Sequence, residues 1–196
     1  MNIITRIHIA WADGRMRRRQ RKLYDRMKQV GQNVYLCRDW YFSAAHKVEM
    51  GSHIWIGEQF YARAEGGLTI GSGTIISRCV EIWTVNHNYD SPDLQAIPYD
   101  RRMVERPVSI GENVWIGTHA LILPGAVIGE GAVIGAGAVV RGHVPPLAIV
   151  TGNPGQITGY RSEETYRKLK EEGKVYLDME YDFDRSSLRK TQWWGR

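Results

Sequence analysis

Six histidines are the side chains of this 196-residue chain best suited to move a proton near neutral pH: His8, His46, His53, His87, His119 and His143. Position separates them. His8 lies in an apolar N-terminal stretch with no evident partner, and His46 precedes the regular part of the chain. His53, His119 and His143 fall on a turn phase, where histidine is tolerated for backbone reasons. His87 differs. It stands in Asn86–His87–Asn88–Tyr89–Asp90 at the point where a long loop departs, and a base at the root of such a loop is placed for acid–base work. Cys37 and Cys79 are the only cysteines, and neither has a metal-ligand spacing or a fitting base nearby in sequence. They read as idle thiols of a reducing cytoplasm, and no metal is expected.

The elements that must position His87 are written in sixes. Ile110, Ile116, Ile122, Ile128, Ile134 and Val140 keep one phase, with Val114, Ala120, Ala126, Ala132, Ala138 and Val144 four positions after each. Three after each aliphatic come Asn113, His119, Gly125, Gly131, Gly137 and His143, residue types that accept positive φ. A helix would repeat near 3.6 and a hairpin sheet would alternate over short runs. A strict six instead marks a parallel β-helix, with short rungs stacked on one another. The phase is visible from Met50 through Ile56 and Ala62, shifts at Gly66–Thr69, and resumes at Ile70, Ile76 and Ile82. From Ile82 to Ile110 there is one hexad plus 22 residues, so residues 88–109 are expected to leave the stack as a loop.

The flanks are of another kind. Residues 1–30 hold nine Lys/Arg against Asp13 and Asp25, a net +7 in a chain whose total is +5. A helix is expected from about Arg15 to Val30, ended by Gly31 and packed on the end of the stack. Its charge also suits an anionic membrane surface or a phosphorylated carrier. Nucleic acid is not expected, because no aromatic platform or groove-reading motif accompanies the charge. Pro145–Pro146 closes the ladder. Ser162, Glu163 and Glu164 then open a helix running to about Glu172, stopped by Gly173 and expected to cap the end of the stack. The expected division is 1–49, 50–157 and 158–196. No run reaches the roughly 18–20 apolar residues of a membrane span, and the arginine-rich N-terminus does not resemble a signal peptide. Trp193 and Trp194 suggest docking on a surface such as a neighbouring subunit.

The combination Trp115–Ile116–Gly117, Leu123–Pro124–Gly125, Ile134–Gly135–Ala136–Gly137 and Pro145–Pro146 resembles the hexapeptide-repeat acyltransferases. The resemblance spans about residues 50–160. Within that family it is similar to the branch of maltose, galactoside and polysaccharide O-acetyltransferases. It implies an all-β fold, a left-handed parallel β-helix, assembled as a homotrimer with active sites between neighbouring prisms. It implies acetyl-CoA as acyl donor and His87 as the general base. It also implies donor contacts at Gly117 and Thr118 beside the thioester, Ala136 along the pantetheine arm, and Val140 and Arg141. Arg141 keeps a positive charge suited to a phosphate. Acceptor contacts are carried over only loosely, to Glu65 and Asp90.

Acyl transfer from a thioester to a hydroxyl needs a base for the hydroxyl proton and a donor for the developing oxyanion. His87 serves the first need in a direct transfer, with no covalent enzyme intermediate. A backbone carbonyl, Asp90 or Asp93 is expected to orient its ring. The expected reaction is O-acetylation of a sugar or polysaccharide precursor. N-acetylation of an amino sugar stays open, since the same base serves both nucleophiles. A zinc carbonic anhydrase on this scaffold would need a third imidazole five residues after His119, where Pro124 stands. A non-enzymatic scaffold or binding protein would not require a long loop leaving right after a histidine.

Overall fold

The computed structural model describes residues 3–178, with side chains from residue 14 to residue 177. After helix α1 (Ile3–Tyr24) the chain winds through six coils. The first holds β1 (Gln29–Val30), β2 (Val34–Leu36) and β3 (Tyr41–Phe42). The second holds β4 (Val48–Met50), β5 (Ile54–Ile56) and β6 (Tyr61–Arg63), and the third β7 (Leu68–Ile70), β8 (Ile75–Ile76) and β9 (Glu81–Trp83). An antiparallel pair, β10 (Val85–His87) and β11 (Met103–Glu105), then leaves the stack as an arm. Winding resumes with β12 (Val108–Ile110), β13 (Trp115–Ile116) and β14 (Leu121–Ile122), followed by β15 (Val127–Ile128), β16 (Val133–Ile134) and β17 (Val139–Val140). The last coil has β18 (His143–Val144) and β19 (Ala148–Thr151), on which β20 (Gln156–Tyr160) folds back antiparallel.

Every pairing between coils is parallel and joins strands of the same face. Face I is β1-β4-β7-β12-β15-β18, face II is β2-β5-β8-β13-β16-β19-β20, and face III is β3-β6-β9-β14-β17. The chain is thus a triangular prism, a left-handed parallel β-helix with two helices attached. Its interior is a set of columns. Met50, Ile70, Ile110 and Ile128 stack inside face I, Ile56, Ile76, Ile116 and Ile134 inside face II, each 2% exposed or less. Each such side chain contributes about 1.5–3 kcal/mol on burial. Between the columns the core narrows along the stack, from Trp40 and Phe60 in the early coils to Ala120 and Ala138 in the late ones.

Several sequence expectations are corrected. The stack begins at Gln29, not near Met50: Gln29 and Val30 pair with Glu49 and Met50. The helix accordingly ends at Tyr24 and not at Val30. Gly31 is not its stop signal; a Cβ there would lie 2.6 Å from the Gly51 carbonyl carbon, so glycine is required for one coil to rest on the next. The departing segment is also displaced, since β12 already lies back in face I. At the sixth coil the positive φ belongs to Gly142, and His143 is in a strand instead. Asn113, His119, Gly125, Gly131 and Gly137 do have positive φ, as does His53.

The last turns of α1 rest on the first coil. Leu23 is buried, Tyr24 donates its hydroxyl hydrogen to the Val34 carbonyl at 3.0 Å, and the Arg19 guanidinium lies 4.5 Å over the Trp40 ring. Arg17, Arg18, Arg21 and Lys22 remain exposed. Helix α2 (Glu163–Glu171) is capped by Ser162, whose side chain accepts from the Thr165 amide. It does not cover the end of the stack. It lies along the edge between faces I and II, where Tyr166 donates to Glu130 at 2.8 Å and accepts from Asn113 at 3.1 Å. Trp193 and Trp194 lie outside the described residues. Among the described residues no helix is long and apolar enough to cross a membrane.

Candidate active site on the third edge

Where face III turns into face I, the length of the connection varies along the stack. In the third coil it runs out along β10 and returns along β11, with Val85 paired to Glu105, Asn86 to Val104 and His87 to Met103. The root of this arm is tightly held. Thr84 is fully buried; its hydroxyl donates to the Arg63 carbonyl at 2.7 Å and accepts from the Gly66 amide at 2.8 Å. A Cβ on Gly66 would lie 2.4 Å from the Thr84 carbonyl oxygen, so the two segments touch backbone to backbone.

Beyond the root the arm is held by a polar knot. Asp100 is 4% exposed and accepts from Asn88 Nδ2 at 2.9 Å, from Arg102 Nη2 at 2.6 Å and from the Arg102 amide at 2.9 Å. The Asp100 amide in turn donates to the Asn88 carbonyl at 3.1 Å. Arg102 reaches on to Asp93 at 2.7 Å. Its guanidinium and the surrounding donors hold the Asp100 carboxyl well below the usual carboxylate range, outweighing burial.

His87 is exposed at the tip of β10. Among the described residues neither ring nitrogen has a hydrogen-bond partner; only its amide does, donating to Asn86 Oδ1 at 2.9 Å. No carboxylate orients it, since Asp93 is taken by Arg102 and Asp90 is exposed without a contact to the ring. The ring lies instead flat against Tyr99, with centroids 3.8 Å apart and planes at 19°. Nothing in the spacing of His87 and Tyr99 announces this contact, because eleven residues lie between them.

The other expected site residues divide between two edges. Glu65 shares the edge of the arm. Burial alone would raise its carboxyl, but its own backbone and Arg63, which donates at 2.8 Å, bring it below the ordinary value. Arg141 is exposed two coils below, also at this edge. Gly117, Thr118 and Ala136 lie at the next edge, between faces II and III. There Thr118 donates its hydroxyl hydrogen to the Arg78 carbonyl at 2.9 Å, and its own carbonyl accepts from Gly137 at 2.8 Å. Among the described residues the amides of Arg78, Thr118 and Ala136 have no hydrogen-bond acceptor, leaving a column of unpaired N–H groups along this edge. Such a column suits the carbonyl and amide oxygens of an acylated pantetheine. Gly117 is buried and packs on Ala136, whose nitrogen would lie 2.6 Å from an added Cβ. Val140 is 2% exposed and faces the core, so its side chain cannot meet a ligand.

A cavity of about 780 Å³ lies elsewhere, between α2 and face II. Trp55, Ile75, Trp115 and Leu169 line it, and its described lining includes neither histidine nor carboxylate. No group of three or more metal-ligating side chains occurs among the described residues.

Comparison with known proteins agrees with this architecture. The family model for the bacterial transferase hexapeptide (six repeats) matches residues 107–142. Nodulation protein L of Rhizobium meliloti (strain 1021) is 38% identical over 137 residues, covering 70% of this chain and 73% of the relative. Galactoside O-acetyltransferase of Escherichia coli (strain K12) is 29% identical over 175 residues, 86% of this chain and 77% of the relative. A solved galactoside acetyltransferase in complex with coenzyme A superposes with a TM-score of 0.69 at 26% identity, over 77% of this chain and 74% of that one. With its repeat, its prism and these relatives in agreement, the chain belongs to the hexapeptide-repeat acyltransferase family.

Proposed function

We propose that this protein is an acetyl-CoA-dependent O-acetyltransferase acting on a hydroxyl of a sugar or polysaccharide precursor, with His87 as general base. The observation that carries the reading is the presentation of His87: exposed on a braced arm, with both ring nitrogens open to a ligand. The acceptor and donor classes are those of the relatives named above.

One ring nitrogen of His87 takes the acceptor proton as the hydroxyl oxygen attacks the thioester carbonyl. A carbon–oxygen bond forms, the carbon–sulfur bond breaks, and the sulfur leaves as a thiolate that receives the proton from the imidazolium. The open amides of Thr118 and Ala136 supply hydrogen bonds to the donor, the former beside the developing oxyanion. Arg141 offers charge to a phosphate.

Base and donor tract stand on different edges of one prism, so a single chain does not unite them. Both edges border face III. Three copies with face III turned inward would bring each arm to the donor edge of the next copy, and the ring would close. We therefore assign the active assembly as a homotrimer.

The test is release of free thiol from acetyl-CoA with galactosides and oligosaccharides as acceptors. His87→Ala should lower kcat by about 10²–10⁴-fold without changing the thermal midpoint. A variant within twofold of wild type would end the base assignment.

A further inference from the structure

Resting on His87 as the base, we infer that Tyr99 is a positioning residue for this reaction, holding the imidazole plane and steadying its charge. An exposed histidine at the end of a strand has free rotation about both side-chain bonds. Here the Tyr99 ring lies 3.8 Å away at 19°, which leaves the imidazole one plane in which to aim its nitrogens. The contact also changes in value during the reaction. When the proton moves onto the imidazole, a cation lies against the π face of Tyr99, and the attraction grows. An interaction stronger in the transition state than in the ground state raises kcat and leaves KM alone.

The knot beneath the pair explains why it forms. Asn88 and Asp100 are joined side chain to side chain at 2.9 Å and backbone to backbone at 3.1 Å. They are the chain neighbours of His87 and Tyr99, so this junction sets one ring beside the other. Arg102 fixes Asp100 from two further directions. Asp100 therefore acts on His87 at a distance, through its junction with Asn88 and through the placement of Tyr99.

The test compares kcat and KM for Tyr99→Leu, Tyr99→Phe, Asp100→Asn and the Tyr99→Leu/Asp100→Asn double variant, with His87→Ala alongside. Tyr99→Leu should lose about five- to tenfold in kcat, as expected for an aromatic and cationic contact at an exposed site. Its KM for both substrates should stay within twofold. Tyr99→Phe should retain at least half of the wild-type kcat, since the ring face is kept. The double variant should be no slower than the slower single variant, because opening the knot already releases the contact that Tyr99→Leu removes. The inference is overturned if Tyr99→Leu keeps wild-type kcat, if its loss appears in KM, or if Tyr99→Phe falls as far as Tyr99→Leu. Any of these with an inactive His87→Ala removes Tyr99 alone; an active His87→Ala removes the base assignment itself. Limited proteolysis of the arm in each variant separates a lost contact from a lost arm, and arm cleavage in Tyr99→Leu but not in wild type would also overturn the inference.

Discussion

The three edges of the prism do not follow one rule. At the edges between faces I and II and between faces II and III, inward residues advance by six in every coil: Val30 to Leu36 to Phe42, Met50 to Ile56 to Ala62, Ile128 to Ile134 to Val140. At the edge between faces III and I the step is eight from Phe42 to Met50 and from Ala62 to Ile70. It is six from Ile122 to Ile128 and four from Val140 to Val144, and in the third coil the whole arm is inserted. Two edges are therefore fixed by packing, and the third is free to vary. His87, the polar knot and Glu65 are all on the third. A scaffold with two rigid edges tolerates insertion at the remaining one, and the proposed chemistry lies there.

The sharpest way to break this contrast is insertion. Two residues added between Pro124 and Gly125, at the variable edge, should leave a cooperative fold with a midpoint only a few degrees lower. The same insertion between Thr118 and His119 should abolish the cooperative transition. There it displaces a corner stacked between Arg78 and Gly137 and shifts the following strands out of register. Equal tolerance of the two insertions, measured by thermal melting, would remove the distinction.

Substitution at glycine gives a smaller effect. At Gly117 an added Cβ meets the Ala136 nitrogen at 2.6 Å, and at Gly137 it meets nothing within 4 Å. Gly117→Ala should cost about 3 kcal/mol by forcing two coils apart. Gly137→Ala should cost about 1 kcal/mol, the penalty of a positive φ alone. Urea unfolding of the two variants checks the order, and the reverse order would contradict close stacking at this edge.

The smallest effect is expected from acid. The Asp100 carboxyl is held below its ordinary value, so its contribution to the arm is complete above the unfolded pKa of about 3.9. It is lost as pH falls through the lower folded value. Protease cleavage within the arm should therefore rise below about pH 4 in wild type, and Asp100→Asn should be cleaved at neutral pH as well. Equal resistance of the variant at pH 7 would show that the knot does not hold the arm.

Much of this architecture was legible in the residues, for reasons tied to the same contrast. From Ile110 to Val140 even the third edge steps by six, so the phase runs unbroken through Ile116, Ile122, Ile128 and Ile134. In the first coils the eight-residue step breaks it. Gln29–Val30 therefore reads as the end of a helix and Val34–Leu36 falls outside the recognised repeat, although both are strands. His87 was legible because it stands where the phase stops. The family resemblance implies Val140 at the donor, yet the hexad phase that makes it the sixth inward aliphatic also buries it.

By itself, the sequence determined the six-residue winding of the later coils and the presence of an inserted arm beside His87. Those depend on local spacing: an aliphatic every six residues and a corner-tolerant residue three later. Only the tertiary structure decided that Tyr99 covers His87, that Asn88 and Asp100 bring them together, and that the expected donor and base residues stand on separate edges. Such contacts join positions far apart along the chain, and a periodic pattern records which way a side chain faces without recording what it meets.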